Sequence, residues 1–393
     1  MEVEKIEQVE EKKRYDWVKH VLSGLVSTVC LSAVVVVMLG MVRQVHPEQI
    51  RESDLQKDEL SLNNQIRKEV ENVKIDVLNS YLSSNGVIRK IYSIEKGSPV
   101  PAPKSENFVS VNPADAACIE AVIEQAESYG LLHKEDVVFR PDVYFYENST
   151  IEYYLDETIF ALCWQEVVGN SVVSFAEVKV ADPSQFRRKL AGDTYGSGKL
   201  MYCTEMYRQS NAVVAMNADF YSFRNLGITC YDGKIYRTED NLDTLFVDKN
   251  GDFIFYPRKQ GASADELQKF VDENNIDFSI AFGPVLIENG ELREITGYPI
   301  GEVLQIYSRA AICQVDSLHY LYAHVGHYGG GRKVVNVNTF SKMLYDKGVR
   351  HAYNIDGGQT GELIINGKIR NSIDFGSERT VSDMIYFATA LPN

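Results

Sequence analysis

The stretch Tyr353-Asn354-Ile355-Asp356-Gly357-Gly358-Gln359-Thr360-Gly361 sets a carboxylate at the end of an apolar run. Such a run, stopping abruptly at Asp-Gly-Gly, reads as a strand entering a tight turn, because glycine accepts positive φ and close approach to its backbone. With period-two alternation Asn354 and Asp356 project from one face, beside a glycine loop that can admit a ligand. A lone Asp-Gly-Gly is equally a hairpin turn in which Asp356 caps local N–H groups. A parallel arrangement closes the apolar run from Ala212 to Met216, where Asn217-Ala218-Asp219-Phe220-Tyr221 follows. By itself that segment too is most simply a capping Asn and Asp in a loop.

Cations stand near other strand ends. Arg309 precedes the run Ala310 to Val315, and Glu378-Arg379 precedes Val381 to Phe387. An arginine at a strand mouth suits bidentate capture of phosphate or carboxylate, although a surface ion pair is its more common fate. His324 and His327 lie near Gly329-Gly330-Gly331-Arg332-Lys333. That loop is either a phosphate cradle or simply flexible, and its histidine spacing matches no strong zinc signature.

The elements around these residues are largely β. Asp232-Gly233, Asn250-Gly251, Asn289-Gly290 and Asn366-Gly367 each sit between β-type runs. This dipeptide marks type I′ hairpins, whose two central residues both need positive φ. Helical composition spans Ala114 to Leu132, and strand-like runs fill Val143 to Val180. One further helix has Asn338 or Thr339 as its cap, Phe340, Met343 and Leu344 on one face, and Gly348 as its stop. No nucleotide-binding glycine fingerprint follows a strand. The fold class is therefore α+β, with mixed, largely antiparallel sheets and a few helices.

In front of this domain, residues 21–42 contain no charged side chain, a length able to cross a bilayer. Lys12, Lys13, Arg14 and Lys19 precede the run, which places residues 1–20 in the cytoplasm and the main domain outside the cell, as a single-pass cell-membrane protein. The run exceeds the usual core of a cleaved signal peptide. Leu62, Ile66, Val70, Val73 and Val77 give a narrow apolar stripe at helical spacing, so residues 43–96 are expected to form a helical stalk through which the chain could self-associate. Pro99, Pro101 and Pro103 make residues 97–111 an extended linker. The globular region then divides into 112–171 and 172–393. A net charge of −15 excludes nucleic acid as the main partner, since neutralising phosphates takes a basic surface. Cys30 lies inside the apolar run, and the other five cysteines have no C-x-x-C spacing, which argues against a disulfide framework or structural zinc.

Taken in order, the segments from about 172 to 388 resemble the phosphodiester glycosidase family. The likeness rests on Ala176-Glu177-Val178-Lys179-Val180, Asn217-Ala218-Asp219-Phe220-Tyr221, Asp232-Gly233-Lys234-Ile235-Tyr236-Arg237 and Phe282-Gly283-Pro284. It continues through Arg309-Ala310-Ala311-Ile312, Asn354-Ile355-Asp356-Gly357-Gly358, and Glu378-Arg379 leading into Ser382-Asp383-Met384. Two segments depart from the pattern. Gln359, Thr360 and Gly361 keep one hydroxyl where the family has two after a further glycine, and His324-Val325-Gly326-His327 replaces a segment carrying a carboxylate and an arginine.

The resemblance implies a hydrolase that cleaves a sugar-1-phosphodiester, and the apolar run 21–42 adds the expectation that it is membrane-anchored and meets its substrate in cell-envelope or exopolysaccharide glycans. It implies Asp356 and Asp219 as the catalytic carboxylates in unassigned order, with Glu378 as a reserve acid. Arg309 and Arg379 would bind phosphate, while Asn217, Asn354, Gly357, Gly358 and Thr360 would line the sugar site. No cofactor is required by this reading, and a divalent cation beside Asp356 is compatible with it. The competing classes are a non-catalytic glycan-binding or assembly module on the same fold, and a structural organiser acting through the stalk.

Overall fold

The computed structural model describes residues 92–392. The expected cytoplasmic tail, the apolar run 21–42 and nearly all of the expected stalk lie outside the described residues. Among the described residues no helix is long and apolar enough to cross a membrane.

The centre of the domain is a nine-stranded sheet. Its order from one edge is β1 (Phe108–Val111), β2 (Ile151–Leu155), β3 (Ile159–Val168), β4 (Ser171–Val180), β15 (His319–Val325), β14 (Arg309–Asp316), β16 (His351–Ile355), β12 (Val285–Glu288) and β13 (Glu291–Leu292). A five-stranded sheet runs β10 (Phe253–Tyr256), β9 (Thr244–Asp248), β11 (Ile276–Ile280), β7 (Ile228–Tyr231), β8 (Lys234–Thr238). The other runs β18 (Lys368–Ile369), β17 (Leu363–Ile365), β6 (Val214–Asn217), β19 (Asp383–Phe387), β5 (Phe186–Leu190). Strand neighbours in all three sheets pair antiparallel, so the mixed pairing expected from the sequence is not found among the described residues.

Alternation along each strand decides what covers each face. On β14, Ala311 and Cys313 join a core with α1 (Ile119–Ser128) and a later helix through Val337, Phe340 and Leu344. Ala310 and Ile312 point the other way, into a core shared with Met216, Leu363 and Ile385 of one small sheet and Val247, Phe278 and Ile280 of the other. Each small sheet is covered in turn by a helix: α2 (Cys203–Gln209) on Ala215, Ile364 and Met384, and α3 (Ala264–Glu273) on Ile228, Phe246 and Ile276. Strands buried on both faces read as continuous apolar runs, which explains Ile159-Phe160-Ala161-Leu162-Cys163-Trp164.

The hairpin expectation holds at all four dipeptides as a connection, since each joins a paired couple of strands. At Asp232, Asn289 and Asn366 both central residues have positive φ, whereas at Asn250-Gly251 only Gly251 does, so that turn is of another type. The expected helix becomes α4 (Val337–Tyr345), capped by Asn336, whose side chain accepts from the Thr339 N–H, rather than by Asn338 or Thr339. Two boundaries also move. Residues 92–96 are not helical, and Ile94 is buried against Tyr207 and Met206, so the stalk cannot continue to 96. The sheet begins at Phe108, inside the expected linker. The five cysteines beyond Cys30 are all free thiols, four of them buried.

Candidate active site

Antiparallel register brings the start of β14 to the end of β16. Ala310 pairs with Ile355, so Arg309 and Asp356, one residue further on each strand, lie side by side. The glycines after Asp356 are required by this closeness. A Cβ at 357 would stand 2.5 Å from the Ser308 carbonyl oxygen, and one at 358, where φ is +66°, would stand 2.7 Å from the Tyr307 ring. The result is a cleft of about 340 Å³ lined by Asn354, Asp356, Gly357, Thr360, Arg309 and Arg379 from the expected set.

Asp356 is half-buried at the base of this cleft. Burial pushes its carboxyl up to about 6, against the opposing pull of the Thr360 hydroxyl, Arg224 and Arg379. The Thr360 hydroxyl also lies 2.7 Å from the Gly357 carbonyl oxygen, and its one proton can serve only one of these acceptors at a time. Arg309 is 4% exposed and its Nη2 donates to the carbonyls of Glu302 and Gln305. Among the described residues no carboxylate pairs with it and its Nε has no partner, and burial lowers its pKa to about 10. Arg379 stacks over Phe220 and Phe223 at 5.2 and 4.7 Å. Arg224, which the sequence reading passed over, lines the same cleft, stacks on Phe223 at 5.1 Å, and lies 3.6 Å from Glu302.

The amides divide. Asn354 donates to the Gly283 carbonyl at 2.8 Å, and the turn at Gly283-Pro284, whose peptide is cis, also bonds its backbone. Among the described residues its buried Oδ1 has no partner, and the residue itself lines the cleft. Asn217, in contrast, is saturated: Nδ2 donates to the carbonyls of Asp356 and Ala218, and Oδ1 accepts from Tyr322 Oη and the Glu362 N–H. It pins the backbone at Asp356 and has no capacity left for a sugar.

Two of the expected carboxylates are placed elsewhere. Asp219 is buried, with one oxygen 2.8 Å from Arg188 and the other accepting from the Ala281 N–H at 2.7 Å. Arg188 also reaches Asp383 at 2.7 Å and the Ser279 carbonyl. Burial pushes Asp383 up, Arg188 pulls it back, and the second carboxylate adds to the rise. Glu378 accepts from the backbone N–H and hydroxyl of Thr204 at the start of α2, and it lies beside the buried Glu362. Neither Asp219 nor Glu378 lines the cleft with Asp356.

A polar cluster not anticipated from the sequence backs the cleft. Ser308 Oγ donates to the Asp374 carboxylate at 2.8 Å, and His327 Nδ1 lies 2.9 Å from Asp374 and 3.1 Å from Ser308. Because one imidazole nitrogen faces both partners, this is not a relay that passes a serine proton through two ring nitrogens. His324 is buried and burial lowers its pKa to about 4, so it is neutral and supplies no cation. The loop Gly329 to Lys333 does not line the cleft. Among the described residues no group of three or more His, Cys, Asp or Glu side chains is arranged to hold a metal ion.

Residues 210–388 match the family model described as phosphodiester glycosidase. No curated protein matches the chain. Among solved structures, the catalytic domain of zebrafish N-acetylglucosamine-1-phosphodiester alpha-N-acetylglucosaminidase, auto-inhibited by its pro-peptide, is 18% identical, over 63% of this chain and 86% of that one, with a TM-score of 0.49. A hypothetical protein from Synechocystis is 15% identical, over 62% of this chain and 64% of its own, with a TM-score of 0.45. A putative exported protein from Burkholderia pseudomallei is 11% identical, over 56% and 74%, with a TM-score of 0.37. The family match carries the conclusion: the segment 210–388, which holds Asp356 with Arg224, Arg309 and Arg379, belongs to the phosphodiester glycosidase family.

Proposed function

We propose that this chain is a hydrolase of sugar-1-phosphodiester bonds, anchored in a membrane by residues 21–42 and acting on cell-envelope or exopolysaccharide glycans outside the cell. The observation that carries the reading is Arg309, a buried guanidinium without a carboxylate partner, in the cleft that holds Asp356. A cation that has lost its water and gained no counter-ion is complemented by an anion arriving with the substrate. Arg224 and Arg379 flank the same space. The family match supports phosphodiester glycosidase chemistry; the membrane and the glycan source rest on the apolar N-terminal run.

Hydrolysis adds water to the anomeric carbon and breaks its bond to the phosphate oxygen, which leaves with the bonding electrons as a phosphate monoester. Because the second pKa of that monoester is about 6, it departs with little help from an acid. What the site must supply is charge: arginines for the departing phosphate and a carboxylate for the oxocarbenium-like carbon or for the proton of the attacking water. Asp356 serves as that carboxylate, with Asn354 Oδ1 and the Thr360 hydroxyl for sugar hydroxyls. Its carboxyl, at about 6, is mostly ionised at neutral pH, so turnover is expected to rise as pH climbs through about 6.

A second reading, a glycan-binding module without turnover, draws on one observation. The other acidic residue lining the cleft is Glu302, which is largely exposed and lies 3.6 Å from Arg224, so Asp356 has no close acidic partner there. Release of reducing sugar from a panel of sugar-1-phosphodiesters by the full-length protein separates the two. Turnover that drops by about 100-fold or more in Asp356→Asn supports hydrolysis. Saturable binding without turnover in the unaltered protein supports the module, and neither binding nor turnover overturns both.

A further inference from the structure

We propose that the rim of the cleft, through Leu304, Ile306 and Phe375 with Arg332 and Lys333 beside them, docks on the surface of an anionic lipid bilayer. The proposal rests on the anchoring read above for residues 21–42 and not on turnover.

Exposed apolar side chains collect on this rim. Ile306 is 68% exposed, Leu304 39% and Phe375 83%. Leu304 and Ile306 alternate with Val303, Gln305 and Tyr307, which line the cleft, so they stand on the outer side of the same loop. That loop and Phe375 form one surface. Ser308 Oγ lies 2.8 and 2.9 Å from the oxygens of Asp374, the residue before Phe375, and His327 reaches the same carboxylate while packing edge-on against Tyr307. The Phe375 backbone is in the left-handed region at φ +64°, where a bulky side chain is strained and glycine is not. Strain of that kind persists where surrounding contacts impose it, and here they hold a ring out in water.

Apolar side chains exposed together mark a surface that takes an apolar partner, and charge selects which one. The chain carries −15 overall, yet the charges left unanswered around the rim are positive. Tyr307 pairs with Val335, which brings the loop of Arg332 and Lys333 alongside. Among the described residues neither cation pairs with a carboxylate. The neighbouring acids are already engaged: Glu302 lies 3.6 Å from Arg224, Asp374 is buried, and Glu378 accepts from Thr204. Apolar side chains flanked by cations suit anionic headgroups above acyl chains. A second copy of the same face would instead set like charges against each other. Tethering through residues 21–42 would hold the domain at high effective concentration near a bilayer, so that a weak contact suffices. Docking there sets the cleft at headgroup level, where a sugar phosphodiester carried by a membrane component lies.

The test uses the full-length protein reconstituted into vesicles of phosphatidylcholine and phosphatidylglycerol, part of the lipid being brominated on its acyl chains. The chain has two tryptophans, Trp17 and the buried Trp164, and Trp17→Phe leaves only the buried one. In that background Ile306→Trp places an indole on the rim. Leu292→Trp is the reference, at a 42% exposed position of β13, which pairs with the end of β12 away from Asp356. An interfacial side chain sits about 5–10 Å deep, so bromolipid should remove roughly half of the emission added by Ile306→Trp and under about a tenth of that added by Leu292→Trp. Arg332→Gln with Lys333→Gln, or vesicles without phosphatidylglycerol, should reduce that quenching by at least about twofold. Leu304→Trp repeats the measurement if Ile306→Trp lowers the Tm. Equal quenching of the rim and reference indoles in incorporated protein overturns the docking. Quenching indifferent to both the cations and the anionic lipid overturns the anionic surface as the partner. A blue-shifted rim emission that ignores bromolipid and grows with protein density assigns the rim to a second copy and overturns the bilayer. A chain that does not incorporate counts against anchoring by residues 21–42, and the rim is then judged by quenching when the same variant is added to the vesicles from solution. None of these readouts uses turnover, so failure of the glycosidase reading leaves them unchanged.

Discussion

Arg188 and Arg309 are both buried arginines on β-strands, and their surroundings differ in one respect. Arg188 lies between Asp219 and Asp383 and also donates to the Ser279 carbonyl, so its charge is answered inside the protein. Among the described residues Arg309 meets only carbonyl oxygens, and it lines a cleft. A paired buried cation is architecture that joins β5, β19 and the segment after β6, whereas an unpaired one facing a cleft keeps a charge that an anion can answer. The largest effect should therefore come from Arg188. Arg188→Met leaves two buried carboxylates facing each other, and breaking such a set typically costs about 3–5 kcal/mol. Chemical denaturation of the variant should show a loss of that order; a loss under about 1 kcal/mol would mean that the pairing is not what holds the strands together.

The same contrast explains what could be read from the chain beforehand. Two strand ends looked equivalent, Asn217-Ala218-Asp219 and Asn354-Ile355-Asp356, because each joins an amide and a carboxylate to an apolar run. Their difference lies in partners from distant segments: Arg188 and the Ala281 N–H claim Asp219, and nothing comparable claims Asp356. Local pattern gave the hairpins, the strand ends and the glycine-rich turn, since these depend on neighbours along the chain. Sheet order, and with it the meeting of Arg309 and Asp356 through the Ala310 to Ile355 pairing, is set by long-range packing. Arg224 escaped notice because an arginine after an aromatic has no signature until the ring is seen beneath it. The Ser308–His327–Asp374 cluster joins residues up to 66 positions apart and carried no local signal either.

Arg309→Met sharpens the comparison from the other side. Methionine keeps much of the stem's packing and removes the uncompensated charge, so folding stability should hold or rise. Substrate affinity should fall by about 10- to 100-fold, the range for losing a charged hydrogen bond. Inorganic phosphate should raise the Tm of the unaltered protein and leave the variant's nearly unchanged, because only a ligand of the folded state stabilises it. A variant that unfolds more easily than the parent, with its phosphate response intact, would place Arg309 among the structural arginines beside Arg188.

The smallest effect concerns a buried charge avoided by keeping a proton. Among the described residues no donor reaches the carboxyl oxygens of Glu362, which is fully buried beside Glu378. Burial first, and then Glu378, push its pKa up from 4.5 to about 9, so at neutral pH it is an uncharged acid able to donate to Glu378. In the unfolded chain the same carboxyl ionises near 4.5. The folded form then binds more protons across the interval, and its contribution to stability is complete below about pH 4.5 and drains away as pH rises toward 9. Glu362→Gln keeps an N–H donor for Glu378 and cannot titrate. The parent should lose stability relative to the variant between pH 5 and 9, by an amount on the order of 1–3 kcal/mol. Denaturation midpoints of the two proteins measured across that range should therefore converge at the acidic end and separate at the basic end. Parallel curves would mean that Glu362 is already ionised in the fold, and that the carboxylate beside Thr204 has a different neighbour to share its proton.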